Sequence, residues 1–272
     1  MQTFVLRRLV LASVLSMFAA GVWAQAATAK KEKGFEPTVG QEGKDVVWVP
    51  TSQALVNRML DMAKVTPNDY VVDLGSGDGR TVITAAKRGA RAMGVEYNPD
   101  MVALSKRNAQ KEGVGEKAQF VQGDIFETDF SAASVITLFL LPELNVKLRP
   151  KILDMKPGTR VVSNSFTMGD WQADRTQNVG EKEGCTAYCT AYLWIVPAKA
   201  EGRWKTSDGE LVLKQIYQNV TGTLERGGKS VPVKGTLSGD QITFTAGGTQ
   251  YTGKVSGDTI SGSNFSATRS GA

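Results

Sequence analysis

Three acids and one glycine-rich run are the residues of this sequence whose types and spacing can do chemistry. Asp73-Leu74-Gly75-Ser76-Gly77-Asp78-Gly79 follows an apolar stretch and precedes an amphipathic one, the order of strand, loop and helix. Gly75, Gly77 and Gly79, with Ser76 between the first two, let the backbone turn sharply and approach a ligand where a Cβ would clash. The helix start then presents free N–H groups. Glu96 comes 23 residues after Asp73, at the end of the next apolar run, where an acid can accept two hydrogen bonds from a ribose diol. Asp124 directly follows Val121-Gln122-Gly123 at the end of a third run, where a carboxylate can accept the N–H of an adenine amine. Three acids at the carboxyl ends of three successive parallel strands line the crevice in which open α/β sheets bind ligands.

What is missing narrows the chemistry. The sequence has no histidine, which excludes Ser-His-Asp and Cys-His catalysis and every His-ligated metal site. Its two cysteines, Cys185 and Cys189, are too few for a four-ligand zinc site, so no metal is expected. On one extended strand four residues span roughly 13 Å, beyond the ~7 Å Cα separation that a disulfide tolerates. Free structural thiols are therefore expected, unless a turn lies between them. The net charge of +5, lowered by two if Arg7 and Arg8 are removed, is too mild to argue for nucleic acid.

The elements that must position the acids alternate between strand and helix. Helix signals cover residues 53–63, with Leu55, Val56, Met59 and Leu60 on one face and Thr51 or Ser52 as cap. Strands are expected at 70–74, 92–96, 118–122, 134–140 and 159–165, with a last one ending at 192–196. Helices fall between them at 80–88, at 99–112 with Asn98 as cap and Pro99 at the first helical position, and at about 143–154. Repeated strand–helix units predict an α/β fold: a Rossmann-like parallel sheet with helices on both faces, spanning residues 45–199. With 41% hydrophobic residues the chain can bury a sizeable core.

Both flanks differ from this body. Arg7 and Arg8 precede an apolar stretch of 14 residues, 9–22, and Ala24-Gln25-Ala26 is a cleavage pattern, so residues 1–26 read as a signal peptide. The expected location is periplasmic or secreted; an uncleaved signal would instead anchor the chain in the membrane, with the body on the same side. Residues 27–44 are polar and read as a flexible linker. Thirteen of the 29 glycines fall after residue 199, between short β-prone runs. Gly235-Thr236-Leu237-Ser238-Gly239-Asp240 is echoed 18 residues later by Gly253-Lys254-Val255-Ser256-Gly257-Asp258. Each Gly-Asp pair predicts a two-residue hairpin turn, so residues 201–272 read as a small antiparallel β-meander or barrel that leans on the larger domain through residues such as Trp204.

Taken together, residues 73–79 with Glu96 and Asp124 resemble the D-x-G-x-G-x-G loop and the second and third acids of class I S-adenosylmethionine-dependent methyltransferases. The resemblance covers about residues 45–196. It implies S-adenosylmethionine as cofactor, its methionine end held by Asp73 and the loop, its ribose by Glu96 and its adenine by Asp124. Val49-Pro50-Thr51-Ser52, Gly75 to Arg80 and Phe166 to Trp171 are similar to mitochondrial protein-lysine methyltransferases and their bacterial relatives. Where many amino-methylating enzymes carry N-P-P-Y or D-P-P-Y after the fourth strand, this chain has Leu140-Leu141-Pro142-Glu143, a departure that argues against a nucleobase amine. Glu143 and Asp170 are the candidates for orienting an acceptor, which is a protein or a small molecule. The competing reading is a methyltransferase fold without turnover that binds an envelope partner through the β-rich module. A nicotinamide-dependent dehydrogenase fits neither the loop spacing nor the lack of histidine.

Overall fold

A computed structural model describes residues 34–207, 209–263 and 265–270. The expected signal peptide at 1–26 and the first part of the expected linker lie outside them. Helix α1 (Gln53–Met62) starts at Ser52, whose hydroxyl accepts the Leu55 N–H at 3.3 Å. Strands β1 (Tyr70–Leu74), β2 (Arg91–Glu96) and β3 (Ala118–Gln122) alternate with helices α2 (Arg80–Lys87) and α3 (Pro99–Lys111). Then come β4 (Val135–Leu138), α4 (Pro142–Leu153), β5 (Arg160–Asn164), β6 (Arg175–Asn178) and β7 (Thr190–Ile195).

These strands form one sheet in the order β3-β2-β1-β4-β5-β7-β6. Neighbours from β3 to β5 are parallel, and β7 is inserted antiparallel between β5 and β6. Central strands covered on both faces should be continuously apolar, and all four residues of β4 are buried. One face packs on α1, α2 and α3 through residues such as Leu60, Val82 and Val102. The other packs on α4 and on Trp171 and Trp194. The sequence signals did not predict β6: Arg-Thr-Gln-Asn is polar throughout, and it pairs only with β7 at the sheet edge.

The C-terminal module is a closed antiparallel barrel of eight strands. They are β8 (Gly202–Thr206), β9 (Gly209–Ile216), β10 (Asn219–Arg226), β11 (Lys229–Ser238), β12 (Gln241–Ala246), β13 (Thr249–Ser256), β14 (Thr259–Gly262) and β15 (Ser266–Arg269). Pairing of β15 with β8 closes it. The two Gly-Asp pairs are the β11–β12 and β13–β14 turns, and Gly239 (φ +61°) and Gly257 (φ +55°) take the positive φ such turns require. Eight strands leave an interior that side chains can just fill, and here Trp204, Leu211, Leu213, Ile242, Phe244 and Ile260 fill it.

From Phe35 onward the sheet and the barrel form one unit. Tyr217, in the β9–β10 turn, stacks on Trp171 with ring centroids 5.9 Å apart, and its hydroxyl donates to Asp170 at 2.9 Å. Gln218 Nε2 donates to the Gln172 carbonyl at 2.8 Å. Trp204, expected at this junction, instead lies inside the barrel, its indole N–H bonded to the Ala200 carbonyl. The expected linker also differs. Residues 35–48 form a strap on the sheet side: Gly40 N–H donates to the Trp48 carbonyl and Trp48 N–H to the Gln41 carbonyl, both at 2.9 Å, and Lys44 is ion-paired with Asp124. Polar composition suggested a linker; the backbone bonds and the ion pair give the segment a fixed course.

Candidate active site

The loop after β1 is built by left-handed glycines. Gly75, Gly77 and Gly79 have φ of +83°, +53° and +84°, where L side chains are strained. Gly75 N–H and Ser76 N–H both donate to the Val95 carbonyl, at 2.9 and 3.0 Å, which draws the loop over the end of β2. That approach requires Gly94, whose missing Cβ would stand 2.4 Å from Ser76 Oγ. Helix α3 holds the loop from beneath: Ser105 Oγ donates to the Gly77 carbonyl at 2.7 Å and Asn108 Nδ2 to the Asp78 carbonyl at 3.0 Å. Arg80 pairs with Asp78 and donates to the Thr51 carbonyl at 2.7 Å, tying the loop to the start of α1.

The three acids converge on a cavity of about 400 Å³ at the carboxyl ends of the strands, a volume within the ~300–1,000 Å³ usual for small-ligand sites. Asp73 is buried, and its Oδ1 accepts the Thr137 hydroxyl at 2.5 Å. Burial pushes its carboxyl up to about 7, reinforced by the charges of Glu96 and Asp78 and opposed by the Thr137 hydrogen bond. Glu96 receives the Gly77 N–H on Oε2 and the Asn98 N–H on Oε1, both at 2.9 Å, so it is locked between the glycine loop and the cap of α3. Asp124 accepts the Phe126 N–H at 2.9 Å and is paired with Lys44; the lysine bond and that N–H hold its carboxyl below the usual range. Lys44 also lies 4.9 Å from the centroid of the Tyr97 ring.

Asp73, Gly75, Ser76, Gly77, Glu96 and Asp124 all line the cavity, whereas Gly79 does not. A Cβ at Gly79 would meet the Phe120 ring at 2.7 Å and Ser105 Cβ at 2.9 Å, so that glycine lets α2 start against β3 and α3. The other half of the cavity is apolar and was not found in the sequence. Leu140, Leu141 and Leu144 line it with Phe139, Phe166 and Tyr188, whose rings touch one another at centroid distances of 5.3 to 6.0 Å. Phe139 was hidden in an uninterrupted apolar run, and Tyr188 lies between the two cysteines. Those cysteines are not free thiols: Cys185 and Cys189 form a disulfide with Cα atoms 5.7 Å apart. A turn through Tyr188, at φ +55°, folds the segment back before β7 begins.

Neither acceptor-side candidate lines the cavity. Glu143 is exposed in the first turn of α4. Asp170 is bound by Arg149 and by Tyr217 at the junction with the barrel. Its carboxylate is held below the ordinary range by the Tyr217 hydroxyl first and Arg149 second. An exposed acid after the fifth strand suggested chemistry because its partner stands 47 residues further along the chain.

A mixed seven-stranded sheet with three acids and a glycine loop at its carboxyl edge defines a class I methyltransferase architecture. The family described as ANTKMT methyltransferase domain matches residues 73–175. A protein-lysine N-methyltransferase from Saccharolobus islandicus is 43% identical over 154 residues, 56% of this chain and 94% of that protein. An ATP synthase lysine N-methyltransferase of Rattus norvegicus is 34% identical over 134 residues, 49% of this chain and 62% of that protein. Among solved structures, an RNA methyltransferase from Salinibacter ruber in complex with S-adenosyl-L-homocysteine is 47% identical, with a TM-score of 0.52 over 56% of this chain and 95% of that one. The chain belongs to the class I S-adenosylmethionine-dependent methyltransferases, in the family of these lysine N-methyltransferases. It is an enzyme of that kind, and S-adenosylmethionine is its cofactor. The residues present fit that group: carboxylates stand at the ends of β1, β2 and in the loop after β3, and the loop offers a Cβ-free surface at Gly75 and Gly77.

Proposed function

We propose that this chain transfers methyl groups to lysine side chains of a protein outside the cytoplasm. The observation that carries the acceptor class is the apolar half of the cavity. Among the described residues its lining is leucine and aromatic, with carboxylates confined to the other half. Bound S-adenosylmethionine supplies a methyl already activated on a sulfonium. What the chain must add is alignment and a neutral nitrogen. A lysine ammonium entering an apolar slot is desolvated, which lowers its pKa and favours loss of its proton to water. Asp73, Glu96 and the glycine loop hold the opposite end of the cavity fixed, and Leu140 and Leu141 exclude water between the two. The names of the two lysine-methylating relatives favour the same acceptor. The Salinibacter protein's name suggests RNA, but Glu42 and Asp45 at the cavity rim would repel a polyanion.

Two observations favour export. Residues 1–26 have the charged, apolar and small-residue pattern of a signal peptide, and disulfides such as Cys185–Cys189 persist in oxidising compartments. The barrel interior is filled, so an envelope partner would meet its outer surface. The test is to incubate the purified chain with methyl-labelled S-adenosylmethionine and either envelope protein or total RNA. Label on lysine, mapped by peptide mass, is the expected result; label on RNA alone would overturn the acceptor class. N-terminal sequencing of protein from the cell envelope should give a start at Gln25 or Ala27, and an intact Met1 on cytosolic protein would overturn export.

A further inference from the structure

We infer that the contiguous face of Phe139, Phe166 and Tyr188 receives the acceptor's alkylammonium, and that the Cys185–Cys189 disulfide holds Tyr188 in that face. Acceptor recognition therefore depends on oxidation of the cysteine pair, while cofactor binding does not. The inference rests on the reading of the chain as an amine methyltransferase.

The sheet order divides the cavity. The acids follow β1, β2 and β3, on one side of the boundary between β1 and β4. The three rings come from the other side: Phe139 follows β4, Phe166 follows β5, and Tyr188 precedes β7, whose reversed direction puts its start beside the ends of the parallel strands. Ring centroids stand 6.0 Å apart for Phe139–Phe166, 5.3 Å for Phe139–Tyr188 and 6.0 Å for Phe166–Tyr188. Rings that close leave no room for an ion between them; they make a wall with one cavity-facing side. A cation within about 6 Å of a ring centroid is attracted by the π face. No aliphatic wall supplies that attraction, and a carboxylate would hold the amine protonated.

Backbone strain is concentrated behind this wall. Ser165 and Tyr188 are two of four non-glycine residues with positive φ among the described residues, at +58° and +55°. Such conformations persist only where the surroundings hold them, and they cluster at functional sites. Ser165 is held by its N–H donating to the Thr190 carbonyl at 2.7 Å, and the turn that follows by Asn145 Nδ2 donating to the Thr167 carbonyl at 3.2 Å. Asn145 is fully buried. Tyr188 is held by the disulfide that brackets it, through Cys185, which is buried in the sheet core. Tyr188 itself is 48% exposed, so little else fixes its ring. The clip and the tyrosine lie outside the matched family region of 73–175, so they belong to what this chain adds.

The wall has a role on both sides of the transfer. The lysine ammonium gives a proton to water, its lone pair forms the N–CH3 bond, the C–S bond breaks, and the sulfonium leaves as a neutral thioether. The methylated nitrogen is again a cation and again attracted to the rings. It can shed a further proton and accept a further methyl without leaving the wall, so products should extend beyond monomethyl-lysine.

The test uses the full oxidised chain saturated with S-adenosylhomocysteine. Nα-acetyl-trimethyl-lysine amide is titrated against its neutral isostere, with carbon in place of nitrogen, and followed by NMR; cofactor-product affinity is measured separately by calorimetry. The cationic probe should bind more tightly. Tyr188→Leu and Phe166→Leu should each reduce that preference about fivefold, the loss of one cation–π contact, and Tyr188→Phe should keep it. Reduction of the disulfide, or Cys185→Ser with Cys189→Ser, should reduce it similarly, with S-adenosylhomocysteine affinity unchanged throughout. Equal binding of the two probes, no binding of either, or a Tyr188→Leu variant that keeps the preference overturns the wall. A reduced protein that keeps it overturns the clip. The probe is already methylated, so no turnover is needed. Failure to label lysine therefore counts against the acceptor class, and failure of the cation preference counts against this inference.

Discussion

Asp73 carries more consequence than any other single side chain, because it is buried as an acid beside two others. Its carboxyl, raised to about 7 from an ordinary 3.8, binds a proton in the folded chain that the unfolded chain gives up. Unfolding is therefore opposed by this group below pH 4, and that contribution is lost as pH rises through 7, a change on the order of 4 kcal/mol. Asp73→Asn should raise the melting temperature of the cofactor-free protein at pH 8 and remove most of this slope, read by calorimetry across pH. A cationic ammonium near Asp73 would favour the charged form, so cofactor binding at pH 6 should release a proton. Titrations in two buffers of different ionisation enthalpy measure it, and equal heats would place the ammonium elsewhere. Glu96→Ala should weaken S-adenosylmethionine binding by roughly 1.5–3 kcal/mol, the usual worth of hydrogen bonds to a charged group. It also leaves the Gly77 and Asn98 N–H groups without their acceptor. Asp73, Glu96 and Asp124 were legible in the sequence because each sits at a fixed place, a strand end or the loop after one. Phe139 was not, since in an unbroken apolar run nothing marks which residue leaves the core.

At the scale of elements, the strap of residues 35–48 and the segment before β7 account for most of what the sequence concealed. Both are short and polar, and both take their course from partners far along the chain. Lys44 reaches Asp124 across 80 residues, and Trp48 lies where a Cβ on Gly77 would be, at 2.6 Å from its indole nitrogen. The helices and central strands were legible because capping residues and apolar runs are local signals; Ser52, Asn98 and Pro99 cap or start their helices as expected. The strap invites a direct experiment. Lys44 occupies the carboxylate expected to accept the adenine amine, so Lys44→Ala should tighten S-adenosylhomocysteine binding, measured by calorimetry at low salt. Weaker binding would mean that Lys44 itself contacts the ligand.

For the whole molecule the question is what the barrel does to the enzyme. Every residue lining the cavity lies at or before Tyr188, so a chain ending at Ala200 should still bind S-adenosylmethionine. It should be less stable, because Trp171, 1% exposed, loses the Tyr217 ring stacked on it. Exposing part of a large aromatic costs roughly 1.5–3 kcal/mol. Thermal unfolding beside cofactor titration checks both halves; a folded truncation with no affinity would mean that the barrel completes the site. That the C-terminal region is β-rich was legible from its glycine spacing and its 18-residue echo. Closure was not, since the pairing of β15 with β8 joins residues more than sixty positions apart without any local mark.

That pairing has a further consequence for the life of the protein. The first and last strands of the barrel are neighbours, so the ring cannot be joined until its C-terminal strand has been made and delivered. Until then β8 and β14 each present an open row of unpaired amides, and such rows recruit other chains. Proteolytic loss of only the last strand would restore both open rows in the mature protein. A nick near the C-terminus should therefore leave the cofactor site intact and yet drive the molecules into aggregates.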